Sequence, residues 1–102
     1  MQNSITFLVF LFFLSHFFSF SQSTINGKVF DSKNNPVVGA NVYLEGTYDG
    51  ATSDENGVFN FKTNETGLQV LIISFMSYET KTIAGDVSTL QNLEIKLKDD
   101  MA

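Results

Sequence analysis

The sequence has no cysteine, no tryptophan and no arginine, and it carries one proline and one histidine in 102 residues. Without cysteine there is neither a disulfide framework nor a lipid-attachment thiol after a leader, so the fold must be held by its core alone. Lysine is the only strongly basic residue, and six lysines face eleven acidic residues for a formal charge of −5. Nucleic acids and anionic lipids are bound by basic patches, so no nucleic-acid partner is expected. The single histidine, His16, lies inside a hydrophobic leader. Beyond it there is no imidazole for acid–base work or for ligating a metal. Helical periodicity is also missing, as are internal repeats and low-complexity tracts.

What is present begins with that leader. Residues 5–20 form an almost unbroken apolar run dense in Phe and Leu, ending in Ser19, Phe20 and Ser21 before Gln22. Small residues at 19 and 21 fit the small-x-small site of a secretory signal peptide, which places cleavage after Ser21. The segment before the run, residues 1–4, has no Lys or Arg. The alternative is an uncleaved anchor. Against it stand a run short of the ~20 residues a bilayer requires, the presence of His16 and the lack of a basic stop-transfer flank. Seven of the eleven Phe residues leave with the leader, whereas every lysine and every acidic residue stays.

Residues 22–102 read as a single small domain. STINGKVF, residues 23–30, alternates with Ile25, Gly27 and Val29 on one face. That is a half-buried strand. DSKNNP follows as a turn in which Pro36 presets φ and cannot join a ladder. Residues 37–44 resume the alternation, with Ala40, Val42 and Leu44 inward and Asn41, Tyr43 and Glu45 outward. The small pair Gly39–Ala40 predicts close approach of another segment. LQVLIISF, residues 68–75, is the most apolar stretch after the leader and suits a central strand covered on both faces. After a bend at Met76, Ser77 and Tyr78, residues 79–83 alternate again. Residues 84–92 read as a linker with room for one helical turn. Leu93, Ile95 and Leu97 form a last strand, whose outward lysines would blunt it at a sheet edge. About seven short strands at this spacing predict an all-β sandwich.

The organising stretch is GTYDGATSDENGVFNF, residues 46–61. It predicts a Gly-flanked loop, a short strand at 51–53, a tight turn at 54–57 and an alternating strand at 58–62. Asp54 is placed to accept from backbone amides two or three residues on, and Gly57 to take the positive φ that closes the turn. Phe59 and Phe61 then share one face as an aromatic anchor for the core.

Chemistry is sparse. Asp49, Asp54, Glu55 and Asn56 form an acidic cluster, but Asp54-Glu55-Asn56-Gly57 is contiguous rather than alternate and no Glu follows at the right distance, which predicts turn chemistry rather than a calcium loop. Ser74, Ser77 and Thr52 have no His or Lys at a motif spacing, and there is no G-x-S-x-G elbow. No catalytic residue, metal or cofactor is expected. Tyr48, Asp49 and Tyr43 are the candidate partner-contact residues, because exposed aromatics mark contact surfaces, while the blander reading, that each ring simply covers a sheet edge, is the favoured one. Asn64-Glu65-Thr66 has the form of a glycosylation sequon but reads here as a turn.

The pattern G-K-V-F-D-x-x-x-x-P-V-x-G-A-N-V-Y-L-x-G-T (residues 27–47), then G-A-T-S-D-E-N-G-x-F (50–59), then I-S-F-M-S-Y-E-T (73–80), resembles the carboxypeptidase-regulatory-like domain family. The spacing of Gly27, Asp31, Pro36, Gly39, Ala40, Gly46, Thr52, Asp54, Gly57 and Phe59 makes the resemblance specific, and all of these but Ala40 and Thr52, together with Tyr78, are expected turn and core positions. Ser77 stands where the family usually has glycine, which predicts a less extreme backbone at that bend. The resemblance implies a Greek-key sandwich of about seven strands, similar to transthyretin, over residues 22–98. Residues 99–102 would then start a linker or tail. Within the family the chain is similar to the N-terminal domain of SusC-like TonB-dependent outer-membrane transporters of Bacteroidetes. That implies an exported, non-catalytic module with a periplasmic or outer-membrane protein partner, either the plug and barrel of a transporter or the TonB system. The other reading is a free-standing carbohydrate- or peptide-binding domain.

Overall fold

The computed structural model describes residues 21–100, and the leader with its expected cleavage site lies outside them apart from Ser21. Seven strands form two packed sheets: β1 (Ser23–Phe30), β2 (Asn41–Leu44), β3 (Gly50–Thr52), β4 (Val58–Thr63), β5 (Leu68–Ser74), β6 (Lys81–Asp86) and β7 (Leu93–Lys96). One sheet has the order β4-β1-β7 and the other β3-β2-β5-β6. All pairings are antiparallel except β1 with β7. The chain changes sheet between β1 and β2, β3 and β4, β4 and β5, and β6 and β7.

Alternation explains which face each strand buries. Ile25 and Val29 of β1, Val42 and Leu44 of β2, Phe59 and Phe61 of β4, Leu71 and Ile73 of β5 and Ile95 of β7 all point between the sheets. With Leu90 and Leu97 they make one continuous core. Each fully buried side chain of this size is worth roughly 1.5–3 kcal/mol of transfer free energy, which must stand in for the missing disulfides. Gly27 is required by proximity. A Cβ there would sit 2.8 Å from the Leu93 Cβ and 2.9 Å from the Phe59 ring.

The strands lie close to the ranges expected from sequence, with instructive exceptions. In the 37–44 stretch only Asn41–Leu44 is strand, because Gly39 has φ +90° and breaks the ladder ahead of it. Pro36 forms a single isolated bridge with Phe30. The Gly39–Ala40 approach is real: the Gly39 amide donates to the Ser53 carbonyl and the Ala40 amide to the Ser53 hydroxyl. The short strand is Gly50–Thr52, one residue earlier than expected. The 84–92 stretch is only partly a linker, since β6 runs to Asp86 before a 3-10 turn at Val87–Thr89.

Two expectations are corrected. β5 is central in its sheet but not covered on both faces. Leu71 and Ile73 are fully buried, whereas Val70, Ile72 and Ser74 are half-buried on the outer side and Leu68 is 75% exposed. Its apolar run reflects sheet-forming propensity as much as burial. Ser77 does not relax the bend: its φ is +72°, the left-handed region glycine would occupy. The bend is held from both sides, because the Tyr78 amide donates to the Phe75 carbonyl and the Asp100 amide to the Ser77 carbonyl.

Candidate functional site

Residues 45–57 leave β2, form β3 and enter β4, and they divide into two loops at opposite ends of the sandwich. β4 carries both: the first loop is tied to its last residue, Thr63, and the second leads into its first, Val58. The six residues of β4 separate them by about 17 Å.

The first loop, residues 45–49, is closed by backbone bonds from the Leu44 amide to the Asp49 carbonyl and from the Thr47 amide to the Leu44 carbonyl. Gly46 supplies the positive φ, +79°. The Thr47 hydroxyl donates to the Leu44 carbonyl at 2.9 Å and accepts from the Asp49 amide at 3.0 Å. The Asp49 carboxylate accepts a 2.6 Å hydrogen bond from the buried Thr63 hydroxyl. Tyr48 is left wholly in solvent on this braced frame.

The second loop, residues 54–57, is built on Asp54. One carboxylate oxygen accepts from the Asn56 and Val58 amides, both at 2.9 Å. The Gly57 amide donates to the Asp54 carbonyl, and Gly57 takes φ +76°. The same device appears at Asp31, whose carboxylate accepts from the Lys33 and Asn35 amides at 2.8 and 2.9 Å, with Asn34 at φ +66°. Both loops accept at the second and fourth residue and invert φ at the third. They pack side by side, since a Cβ on Gly57 would lie 2.5 Å from the Val29 carbonyl and 3.2 Å from the Pro36 Cβ. Amide donation, first from Asn35 and then from Lys33, holds the Asp31 carboxyl below its usual range. The Ser88 hydroxyl, with the Ser88 amide, does the same for Asp86 at the start of the 3-10 turn.

These arrangements place the sequence-singled residues. Asp31, Pro36, Gly39, Asp54 and Gly57 shape one end of the sandwich, Gly46 closes the Tyr48 loop at the other, and Gly27 and Phe59 lie in the core. Tyr78 is half-buried with its ring 5.9 Å from that of Phe75. Tyr43 lies on the outer face of β2, 37% exposed. Tyr43 and Tyr48 do not stack into one platform, and Phe75–Tyr78 is the aromatic pair observed among the described residues. No three acidic side chains converge on a possible metal site among the described residues. Sequence reading missed the Thr63–Asp49 bond. It spans fourteen residues and no local motif announces it.

A profile of the CarboxypepD_reg-like domain family matches residues 25–102. The chain is 32% identical over 79 residues to the TonB-dependent receptor SusC of Bacteroides thetaiotaomicron, a match covering 78% of this chain and 7% of that protein. The chain therefore spans only a small fraction of that relative's length. Among solved structures it is similar to an N-terminal interface mutant of a type II cohesin–X-dockerin complex from Acetivibrio cellulolyticus, with a TM-score of 0.65 and 26% identity over 76% of this chain and 58% of the other. The 3-chlorocatechol 1,2-dioxygenase of Rhodococcus opacus shares the fold at a TM-score of 0.57 and 14% identity over 80% of this chain and 61% of that one.

Proposed function

The chain belongs to the CarboxypepD_reg-like domain family, and on that premise we propose that it is a non-catalytic exported module at the N-terminal, periplasmic end of a TonB-dependent outer-membrane transporter. The observation that carries this reading is the identity to SusC across nearly the whole described domain. The apolar leader ending in Ser19 and Ser21 supports export. Contact rather than chemistry is supported by a chain that keeps no histidine or cysteine after the leader. The likeness to a cohesin–dockerin complex, an assembly of proteins, points the same way.

The contact is made by Tyr48. Asp100, the last described residue, is held against Ser77, at the end of the sandwich opposite the Tyr48 loop. The Tyr48 ring, wholly in solvent at the other end, is the group this loop offers to a protein partner of the periplasm or outer membrane. A photo-crosslinking side chain at 48, compared with one at solvent-facing Asn60, tests this in cells making the native product. Crosslinks to a transporter or TonB-system component from position 48 alone are expected. Equal crosslinking from both positions, or none from 48, would remove the loop as the contact.

A further inference from the structure

The outer face of the β3-β2-β5-β6 sheet holds a shallow, open groove of about 460 Å³ lined by Asn41, Tyr43, Gly50, Thr52 and Ser74 together with Val42 and Ala51. Strand register sets its chemistry. Thr52 pairs with Asn41, and Asn41 with Ser74, so three hydrogen-bonding side chains stand in one row across β3, β2 and β5. The next row on that face is Gly50, Tyr43 and Ile72. Neighbouring strands lie ~4.8 Å apart, which fixes the spacing of the polar row. None of the Thr52 hydroxyl, the Asn41 amide and the Ser74 hydroxyl is engaged in a hydrogen bond among the described residues. Gly50 lets β3 approach β2 closely beside the ring, since a Cβ there would collide with the Val42 carbonyl at 2.5 Å and the Tyr43 Cβ at 2.7 Å.

Three other grooves among the described residues are each lined by both lysine and glutamate. This one carries no charged side chain. A neutral row of amide and hydroxyl groups beside a half-exposed aromatic ring is the chemistry that recognises a neutral sugar. The ring covers the C–H face of a pyranose while the row exchanges hydrogen bonds with its hydroxyls. The absence of lysine disfavours an anionic ligand, and the absence of carboxylates a cationic one. An added peptide strand would use the free edge of β3 rather than this face. The volume lies within the range of small-ligand sites, ~300–1,000 Å³.

We propose that this groove is a binding site for neutral pyranose oligosaccharides, with Tyr43 as the stacking platform and Asn41, Thr52 and Ser74 as the hydroxyl-reading row. It goes beyond the transporter-module reading and stands or falls without it. The test is an amide-shift titration of the exported chain with neutral glucose and mannose oligosaccharides, using a galacturonic acid oligomer as the charged control. Saturable shifts are expected at Asn41, Tyr43, Gly50, Thr52 and Ser74 with a neutral sugar and not with the uronic acid. Tyr43→Ala and Asn41→Ala should each weaken binding about tenfold, the equivalent of ~1.4 kcal/mol. Tyr43→Phe keeps the ring and should retain binding, as should Tyr48→Ala. All four substitutions are at exposed positions, and the remaining resonances of each spectrum report whether the fold is intact. No saturable shift with either neutral sugar up to roughly 10 mM, or shifts that survive Tyr43→Ala, would overturn the site.

Discussion

The Thr63 hydroxyl donates a 2.6 Å hydrogen bond to the Asp49 carboxylate, joining the Tyr48 loop of one sheet to the last residue of β4 in the other. Thr63 is only 2% exposed, so its hydroxyl has no water to fall back on. Hydrogen bonds to a charged acceptor are worth ~1.5–3 kcal/mol when one partner is buried. Thr63→Val, which keeps the shape and removes the donor, should therefore cost about that much in urea unfolding. It should also speed amide exchange at Thr47, Tyr48 and Asp49. Slow exchange there in the variant would mean that the backbone bonds alone hold the loop.

Ser77→Gly should stabilise the domain. Serine at φ +72° bears a Cβ clash that glycine lacks, a cost of ~1–2 kcal/mol partly offset by the larger unfolded-state entropy of glycine. A net gain of about 0.5–1 kcal/mol in the urea midpoint is expected. A loss would show that the Ser77 side chain contributes something the backbone geometry hides.

Gly27→Ala should act in the opposite sense. The added methyl has no room between Leu93 and Phe59, and overpacking of this kind costs roughly 1–3 kcal/mol. Parallel pairing of β1 with β7 should suffer most, so exchange protection should fall first at Leu93 and Ile95. Unchanged thermal stability would contradict the close approach.

Acid should destabilise the domain through Asp31 and Asp86. Both carboxyls are held below the usual aspartate range by hydrogen bonds made in the fold. A depressed folded pKa gives stability that is complete above the unfolded value and is lost as pH falls through the folded one. Between about pH 5 and pH 2 the native chain should lose stability more steeply than the Asp31→Ala/Asp86→Ala variant. The variant should be the weaker of the two at pH 7. Parallel acid limbs would place the titration elsewhere.

Much of this was legible in the sequence, because local rules carry it. β1 is Ser23–Phe30 as its alternation predicts, and Asp54 with Gly57 makes the turn that its residues dictate. The parallel device at Asp31 was less legible, since Asn34 rather than glycine takes the positive φ there. What the sequence concealed is set by register across sheets. The division of residues 46–57 between two ends of the molecule follows from where Thr63 and Val29 lie, and no spacing within that stretch encodes it. The polar row Thr52–Asn41–Ser74 likewise exists only once three strands are paired. β5 misled for a different reason: the same β-branched run serves a strand covered on both faces and one covered on a single face.

The most direct measurement is the size and membrane fraction of the native product, detected with an antibody against residues 22–102. As a module of a TonB-dependent transporter, it should appear as a large polypeptide in the outer membrane, far longer than this domain. A small soluble species confined to the periplasm would contradict that account and leave a free-standing binding domain in its place.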